Sequence, residues 1–288
     1  MKLPTFIINA RDKKYEFAGT QVMGIVNVTP DSFYAGSRIQ GEEALRQRVR
    51  QIVEEGASMI DVGAYSTRPD ADEVSAQEEL ERLAAALPVI REELAFLDQP
   101  DMLVSVDTFR ASVAEACVSG LGGDIINDVS GGTLDDAMFD VVARTKVPYI
   151  LMHMRGTPQT MQQLTDYDEP LTLAVANFFD TQLKSLYALD RDAQVILDPG
   201  FGFAKTLEQN YVLFSNLPLL MQRFAELPML VGISRKSMIY RLLGTRADEA
   251  LNGTTVLNTL ATQMGAHILR VHDVRAAVEA VKIVNLAV

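Results

Sequence analysis

The chain has 288 residues, of which 48% are hydrophobic and 22% charged, so it can bury a large core and no part is expected to be disordered. Its formal net charge of -12 argues against nucleic acid as a partner, because a protein that binds a phosphate backbone needs a surplus of Lys and Arg. The single cysteine, Cys117, excludes an intramolecular disulfide, and we expect a reduced thiol in the core.

The beginning of the chain predicts neither export nor membrane insertion. Residues 1–17 contain a short apolar run interrupted by charges, without the small-residue cleavage site of a signal peptide. No stretch reaches the ~18 consecutive apolar residues that a membrane-spanning helix needs. We therefore expect a cytoplasmic protein with no membrane segment.

Short apolar runs alternate with amphipathic stretches along the chain. Residues 5–18 are expected to form a hairpin that turns at residues 11–14. The runs that predict strands lie at 22–27, 58–63, 103–107, 124–128, 149–153, 195–198, 229–234 and 268–272. The stretches that predict helices lie at 42–56, 75–97, 110–119, 135–145, 170–189, 207–226, 237–265 and 274–287. In the second of these, Pro88 is expected to kink or split the helix, because proline removes a backbone donor and clashes with the preceding turn.

This alternation predicts a parallel sheet wrapped by crossover helices. Each run is nearly continuous in apolar residues, as strands covered on both faces are. Eight strand-helix units within ~250 residues match a closed barrel. We therefore predict an α/β fold, a (β/α)8 TIM barrel in a single domain over residues 1–288, with the hairpin covering its bottom. A doubly wound open sheet is the alternative.

Polar residues close nearly every apolar run. In such a barrel they would point into a shared mouth, where active sites lie. They are Asn27, Asp61, Asp107, Asn127, His153, Asp198, Ser234 to Ser237, Arg270 and His272. The alternative for any one of them is a helix cap, since Asp, Asn and Ser after a strand also cap helices. The variety of the set favours a site.

Arg270 and His272 are especially informative candidates, and Lys236 is a further possible one. Arg270 and His272 lie two residues apart on a predicted strand, so their side chains project to one side and could grip one anion. The alternative is a surface arginine and a buried, hydrogen-bonded histidine. Lys236 stands where a buried amine could be held against a substrate, or it is a surface lysine beside a helix start.

Several familiar chemistries find no support in the sequence. His153, His267 and His272 lack the spacing of a clustered metal site, and one cysteine cannot form a thiolate cage. Neither a G-x-x-x-x-G-K-[ST] loop nor a G-x-S-x-G turn follows a strand. The loops at 27–33 and 66–69 instead mix hydroxyls, proline and an aromatic or Arg residue, which suits mobile lids.

Eight motifs, taken in order, resemble the dihydropteroate synthase family from Val22 to Lys282. They are NVTPDSF (27–33), STRP (66–69), SVDT (105–108), IND (126–128), LMHM-x-G-x-P (151–158), DPG-x-GF (198–203), G-x-SRKS (232–237) and RVHDV (270–274). The resemblance implies condensation of dihydropterin diphosphate, whose ring carries the diphosphate on a methylene group, with p-aminobenzoate to give dihydropteroate and diphosphate. It also implies Mg²⁺ as cofactor, a homodimer, and departure of diphosphate before the amine attacks.

The resemblance also implies roles for individual positions. The pterin-binding positions are Asp107, Asn127, Met152, Asp198, Phe203 and Lys236. The diphosphate-binding positions are Asn27, Arg68, Arg270 and His272, and Asn27 also lies near the metal. The p-aminobenzoate-binding positions are Phe33, Thr67, Arg68, Pro69 and Ser237. Those expected to carry catalysis are Asp107, Asp198, Lys236 and Arg270.

Three places in the loops depart from the common family pattern. Ala35 to Ser37 stand in place of Asp-Gly-Gly, Ala64 and Tyr65 in place of Gly-Glu, and Asp70 in place of Gly. Two alternatives follow from the resemblance. One is a pterin-binding methyltransferase domain with a corrinoid partner, against which the TPDSF and SRKS motifs speak. The other is a non-catalytic pterin-binding protein, which Ala35 suggests.

Overall fold

The parallel strands form a closed barrel. The computed structural model describes residues 3–28, 38–65 and 74–287. The strands within these residues are β1 Thr5–Ala10, β2 Lys13–Ala18, β3 Gln21–Asn27, β4 Met59–Gly63, β5 Leu103–Asp107, β6 Ile125–Asp128, β7 Tyr149–Met152, β8 Val195–Asp198, β9 Leu230–Val231 and β10 Ile268–Val271. The last eight pair in parallel in the order β8-β7-β6-β5-β4-β3-β10-β9, and a bridge between Leu197 and Met229 joins the two edges. The predicted TIM barrel is confirmed.

Helices in the described part of the chain wrap the barrel, one or two after each of its strands. They are α1 Arg38–Glu54, α2 Ala76–Phe96, α3 Ala111–Ala116, α4 Met138–Thr145, α5 Leu171–Leu189, α6 Leu207–Ser215, α7 Leu217–Arg223, α8 Ser237–Leu243, α9 Leu251–Met264 and α10 Val274–Ala287. A π-helical turn, Cys117–Leu121, continues α3, and its buried Cys117 is a free thiol. Among the helices described, none has the length and apolar character to cross a membrane.

The lower end of the barrel is filled with apolar side chains. Each barrel strand contributes one buried residue to this layer: Met23, Met59, Leu103, Ile125, Ile150, Ile196, Leu230 and Ile268. The hairpin of β1 and β2 covers the layer with Phe6 and Ile8, and Phe6 stacks on Phe17 with ring centroids 5.0 Å apart. The polar residues at the carboxyl ends of the strands therefore meet at the other end.

Pro88 does not split the second predicted helix, and that part of the expectation was wrong. Ala76–Phe96 is one helix with Pro88 inside it, capped at its start by Ser75. Pro88 is exposed, so the carbonyl that it leaves unpaired can bond to water, whereas Leu87 and Ile90 are fully buried. Packing of this apolar face outweighs the cost of about 3 kcal/mol that an interior proline imposes.

Two long predicted helices are each divided in the structure. The stretch 207–226 forms α6 and α7, because Pro218 lacks an N–H and sits in the first turn of α7 rather than continuing α6. The stretch 237–265 forms α8 and α9, because Gly244 ends α8 at a φ of 63°, which favours glycine. The seventh predicted strand is also shorter than expected and pairs only over Leu230–Val231.

Candidate active site

Arg270 lies at the centre of a buried polar cluster inside the mouth of the barrel. From β10 it donates through Nε to Asp61 on β4 at 2.6 Å and through Nη2 to Asp107 on β5 at 2.7 Å. Asp61 is fully buried and also accepts hydrogen bonds of 3.2 Å from Nδ2 of Asn127 on β6. Four strands thus bring together residues that are far apart in the sequence. The sequence named Asp61 as a strand-end polar group, but not as the partner of Arg270.

Asp107 titrates far from its ordinary range. Burial raises its pKa to about 7, the positive charge of Arg270 opposes this, and the neighbouring carboxylates, Asp61 foremost, add to the rise. The carboxyl group can therefore gain or lose a proton near neutral pH. Perturbed groups of this kind cluster at functional sites.

Asp198 and Lys236 form a second charged pair at the mouth. Asp198 ends β8 and accepts a hydrogen bond of 2.8 Å from the N–H of Gly200. Lys236, directly before α8, donates to the carbonyl of Phe201 at 2.7 Å. Burial raises the pKa of Asp198 and lowers the pKa of Lys236 to about 8, while the attraction between the two opposes both shifts.

The Arg270 cluster and the pair Asp198 and Lys236 lie next to each other, with Gly232 between Asp198 and Arg270. A Cβ added at Gly232 would lie 3.7 Å from Oδ2 of Asp198 and 3.9 Å from Cβ of Arg270. The charge of Arg270 also lowers the pKa of both Asp198 and Lys236. The structure therefore brings the four residues expected to carry catalysis around one space.

An apolar wall borders this polar space. Its buried members lie at the end of β7 and in the loops after β6, β7 and β8, and are Val129, Met152, Met154, Met161, Phe203 and Ala204. The ring of Phe203 faces Lys236, whose Nζ lies 4.7 Å from the ring centroid. A flat heterocycle could therefore pack one face on the wall and present its edge to carboxylate, amide and ammonium groups.

Lys205 is a buried residue of this region that the sequence analysis missed. Its side chain is 3% exposed, and its Nζ lies 2.9 Å from Nδ1 of His153. A lysine in a loop is ordinarily solvated, so the residue type gives no signal of burial. The one hint is its position directly after the apolar pair Phe203 and Ala204.

Asn27 and His272 line a cavity of about 420 Å³ between α1 and the ends of β3 and β10. The polar and charged residues along it are Asn27, Arg48, Arg235, His272 and Asp273. His272 Nδ1 lies 3.1 Å from Oγ of Ser234, and burial, with Arg270 and other nearby cations, lowers the histidine pKa to about 4. The ring is therefore neutral near pH 7.

The expected anion-gripping pair is directed to different partners in the structure. Arg270 is engaged by Asp61 and Asp107, whereas His272 is engaged by Ser234. Both side chains would need new contacts to hold one anion together.

The remaining predicted residues are only partly described. Ser237 begins α8, directly after Lys236. Outside the described residues lie Phe33, Thr67, Arg68 and Pro69, together with Ala35 and Asp70. Within the ranges 3–28, 38–65 and 74–287, no group of three or more His, Cys, Asp or Glu side chains could hold a metal ion.

The fold and this site define a class: TIM-barrel proteins whose barrel mouth combines buried charged groups with an apolar wall. The family model described as pterin binding enzyme matches residues 23–272. The dihydropteroate synthase of Synechocystis sp. is 43% identical over 269 residues, which cover 92% of this chain and 89% of that protein. The chain belongs to the pterin binding enzyme family, among the dihydropteroate synthases, as the motifs indicated.

Two further comparisons agree with this membership. The mitochondrial folate synthesis bifunctional protein of Arabidopsis thaliana is 40% identical over 287 residues, and the chain spans 50% of that protein's length. The solved dihydropteroate synthase of Xanthomonas albilineans, in complex with 4-aminobenzoic acid, has a TM-score of 0.84 and 34% identity, covering 99% of this chain and 98% of that chain. Fold and sequence therefore indicate the same family.

Proposed function

We propose that this protein condenses dihydropterin diphosphate with p-aminobenzoate to give dihydropteroate and diphosphate. One observation carries the proposal: Asp107, Asp198, Lys236 and Arg270 converge beside the apolar wall at the mouth of the barrel. The buried carboxylates can accept hydrogen bonds from the amino and N–H groups of a pterin ring. The amide of Asn127 and the ammonium of Lys236 can donate to its oxygen and ring nitrogens. Met152 and Phe203 would pack against the ring face.

The diphosphate would be met by Arg270, His272, Asn27 and Arg68. Arg270 already has Asp61 as a buried partner, so exchanging Asp107 for a phosphate oxygen would leave its position fixed. The side chain of Asn27 is exposed at the end of β3 and offers one amide oxygen. Such a site suits Mg²⁺ only if phosphate oxygens and water supply the other ligands, which is how Mg²⁺ usually binds. When bound there, Mg²⁺ would neutralise charge on the departing diphosphate.

The p-aminobenzoate site would form from the loops after β3 and β4 and the start of α8. The proposed residues are Phe33, Thr67, Arg68, Pro69 and Ser237. Ser237 supports this placement because it follows Lys236 directly and is half-buried. The aniline nitrogen would then approach from the solvent side of the pterin ring.

The proposed mechanism is dissociative. Diphosphate leaves first, its bonding electron pair departing with the oxygen, and the neutral aniline nitrogen adds to the resulting pterin methylene cation and then loses a proton. Arg270 would stabilise the departing negative charge, and the carboxylates of Asp107 and Asp198 would stabilise the electron-poor ring. A strong base is not needed, because an aromatic amine already has a free electron pair.

The direct test is to mix the purified protein with Mg²⁺, p-aminobenzoate and dihydropterin diphosphate and to look for dihydropteroate by mass spectrometry. Dihydropteroate formed in proportion to enzyme is the expected result. Binding of the pterin without turnover would favour the non-catalytic alternative instead. Methyl transfer to a corrinoid without diphosphate release would favour the methyltransferase alternative.

A homodimer is part of the same proposal. Helices α8, α9 and α10 pack side by side and carry exposed apolar side chains, among them Leu242, Leu243, Val256, Ile283 and Leu286. Neighbouring apolar residues left exposed on a surface are typical of protein interfaces. Sedimentation velocity is expected to give a dimer, and Leu242→Glu is expected to give a monomer. A cytoplasmic location stays a prediction from the sequence.

A further inference from the structure

A buried pair, His153 and Lys205, supports the loop that follows β8. This segment, Asp198–Lys205, is called the β8 loop below. His153 follows β7 and is one of the polar strand-end residues of the sequence, and the proposed reaction gives it no role. Both side chains are almost fully buried, at 2% and 3% exposure.

The ammonium of Lys205 has three hydrogen-bond partners. Nζ lies 2.9 Å from Nδ1 of His153, 2.8 Å from the carbonyl of Gly200 and 2.9 Å from the carbonyl of Phe203. An ammonium group has three donors, so all of them are used. Burial and the charge of Lys205 hold the pKa of His153 well below its ordinary value, so the ring is neutral and Nδ1 can accept.

The carbonyls of the β8 loop are divided between two lysines. Lys205 takes those of Gly200 and Phe203, and Lys236 takes that of Phe201, between them, at 2.7 Å. Gly200 has a φ of 69°, and a Cβ there would lie 2.0 Å from the carbonyl oxygen of His153. The loop is thus held tightly, and its course determines where the Phe201 carbonyl and the Phe203 ring meet Lys236.

Lys205 also contributes charge to the site. The groups around it that titrate or carry charge are Asp198, Lys236, His153 and, beside His153, Arg155 and Tyr167. Burial lowers the pKa of Lys205 to about 7, and the negative charge of Asp198 opposes this shift. Below that pH the ammonium of Lys205 in turn favours the ionised form of Asp198. Replacing Lys205 by a neutral residue would therefore raise the pKa of Asp198.

We propose that Lys205, held by its contact with His153, is a positioning residue of the pterin site. Its ammonium folds the β8 loop so that the Phe201 carbonyl and the Phe203 ring hold Lys236 against the pterin ring. This inference rests on the proposed function for the identity of the ligand.

The test compares Lys205→Met, Lys205→Arg and, as an exposed control, Lys184→Met. For Lys205→Met we expect the Kd of dihydropterin diphosphate, measured by calorimetry, to rise about tenfold, because a buried charge-assisted network is lost. The KM of p-aminobenzoate should change little, since that substrate is proposed to bind on the solvent side. In a plot of pterin affinity against pH, the acidic limb is the range in which affinity falls as Asp198 is protonated. This limb should move to higher pH, because Asp198 has lost a neighbouring positive charge. Lys205→Arg keeps the charge and should restore the limb, and Lys184→Met should match the wild type.

A purely structural role gives a different result. It would lower the thermal midpoint of Lys205→Met but leave the Kd of the folded protein and the pH limb unchanged, and this would overturn the inference. Should Lys205→Met not fold, His153→Leu takes its place, because it removes one acceptor and keeps the lysine charge. It should weaken pterin binding while preserving the pH limb, and wild-type affinity would overturn the inference. Wild-type protein that binds the pterin but makes no dihydropteroate would contradict the proposed function alone.

Discussion

Asp61 holds Arg270 through a hydrogen bond of 2.6 Å from Nε, although the two residues are 209 positions apart. Asp61 is fully buried, whereas the side chain of Arg270 keeps 20% exposure and directs Nη2 to Asp107. One carboxylate therefore fixes the guanidinium from within the barrel, and the other meets it at the mouth. Breaking a buried pair leaves an uncompensated charge, so the relationship predicts measurable effects.

Asp61→Asn is expected to lower the free energy of unfolding by about 3 kcal/mol, because Arg270 loses its buried ionic partner. Urea denaturation measures this directly. Asp101→Asn is the matched control, since Asp101 pairs with Lys13 at 2.5 Å on the surface. The control should cost less than about 1 kcal/mol, as exposed ion pairs do. Equal losses in the two variants would contradict the role given to Asp61.

Arg270→Ala is expected to raise the Kd of dihydropterin diphosphate by on the order of 100-fold, because charge-assisted hydrogen bonds to phosphate are lost. Calorimetry should show a far smaller change in the Kd of p-aminobenzoate. Arg246→Ala is the control, since Arg246 lies exposed beside Asp248. If both substrates were weakened equally, Arg270 would not be the anion site.

Lys236→Ala and Asp107→Ala are each expected to reduce dihydropteroate synthesis by on the order of 1000-fold, because both side chains would contact the pterin ring. Circular dichroism should remain that of the wild type. Lys184→Ala on α5 replaces an exposed lysine and should leave the rate of dihydropteroate synthesis unchanged. Near-normal turnover in either site variant would count heavily against the proposed reaction.

The stability of the protein should depend on pH through Asp107. Burial raises its pKa to about 7 in the folded chain, whereas an unfolded Asp has a pKa of about 3.9. Between these values the folded chain binds more protons than the unfolded chain, so this group lowers the free energy of unfolding as pH rises.

Asp107→Asn removes that titration. The unfolding free energy of the wild type minus that of Asp107→Asn should therefore decrease by about 1–3 kcal/mol between pH 5 and pH 7.5, which urea titrations at both pH values can measure. A difference that stays constant with pH would contradict the raised pKa. Lys236 acts at higher pH: its lowered pKa of about 8 makes stability rise with pH from there towards the ordinary lysine value.

Phe6→Ala is expected to destabilise the protein by about 3–5 kcal/mol, because it opens a cavity under the barrel. Ile7→Ala on the same strand is the control, since Ile7 is 48% exposed on the opposite face of the hairpin and should cost about 0.5 kcal/mol or less. Chemical denaturation gives both values. Because Phe6 lies at the far end from Lys236, the KM values of the folded variant should not change.

Much of the barrel could be predicted because parallel strands have a simple signature. Runs such as residues 103–107 and 195–198 are mostly apolar and end in an aspartate, and the structure gives them the same bounds. The points at which helices divide were harder to predict from the sequence. Pro218 and Gly244 could each end a helix or be tolerated within one, and tertiary packing decides which occurs. In the structure a helix ends near each of these two residues, whereas the helix continues through Pro88.

Long-range partners explain what sequence reasoning could not reach at the site. It could name Arg270, because this residue stands near the end of an apolar run and two positions before His272, but the choice of Asp61 over any other carboxylate depends on strand order and register. Lys205 was overlooked for the same reason. Its three acceptors come from His153 and from its own loop, and only the closed barrel brings them together.

The hairpin and the apolar layer close the lower end of the barrel, so within the described residues the polar site is reached from the carboxyl ends of the strands. In the proposed reaction the substrate that binds deepest in the site must enter first. A molecule bound nearer the opening would block both its entry and its exit. The pterin substrate would then have to precede the aromatic amine, and each finished product must depart by the same opening before another round can start.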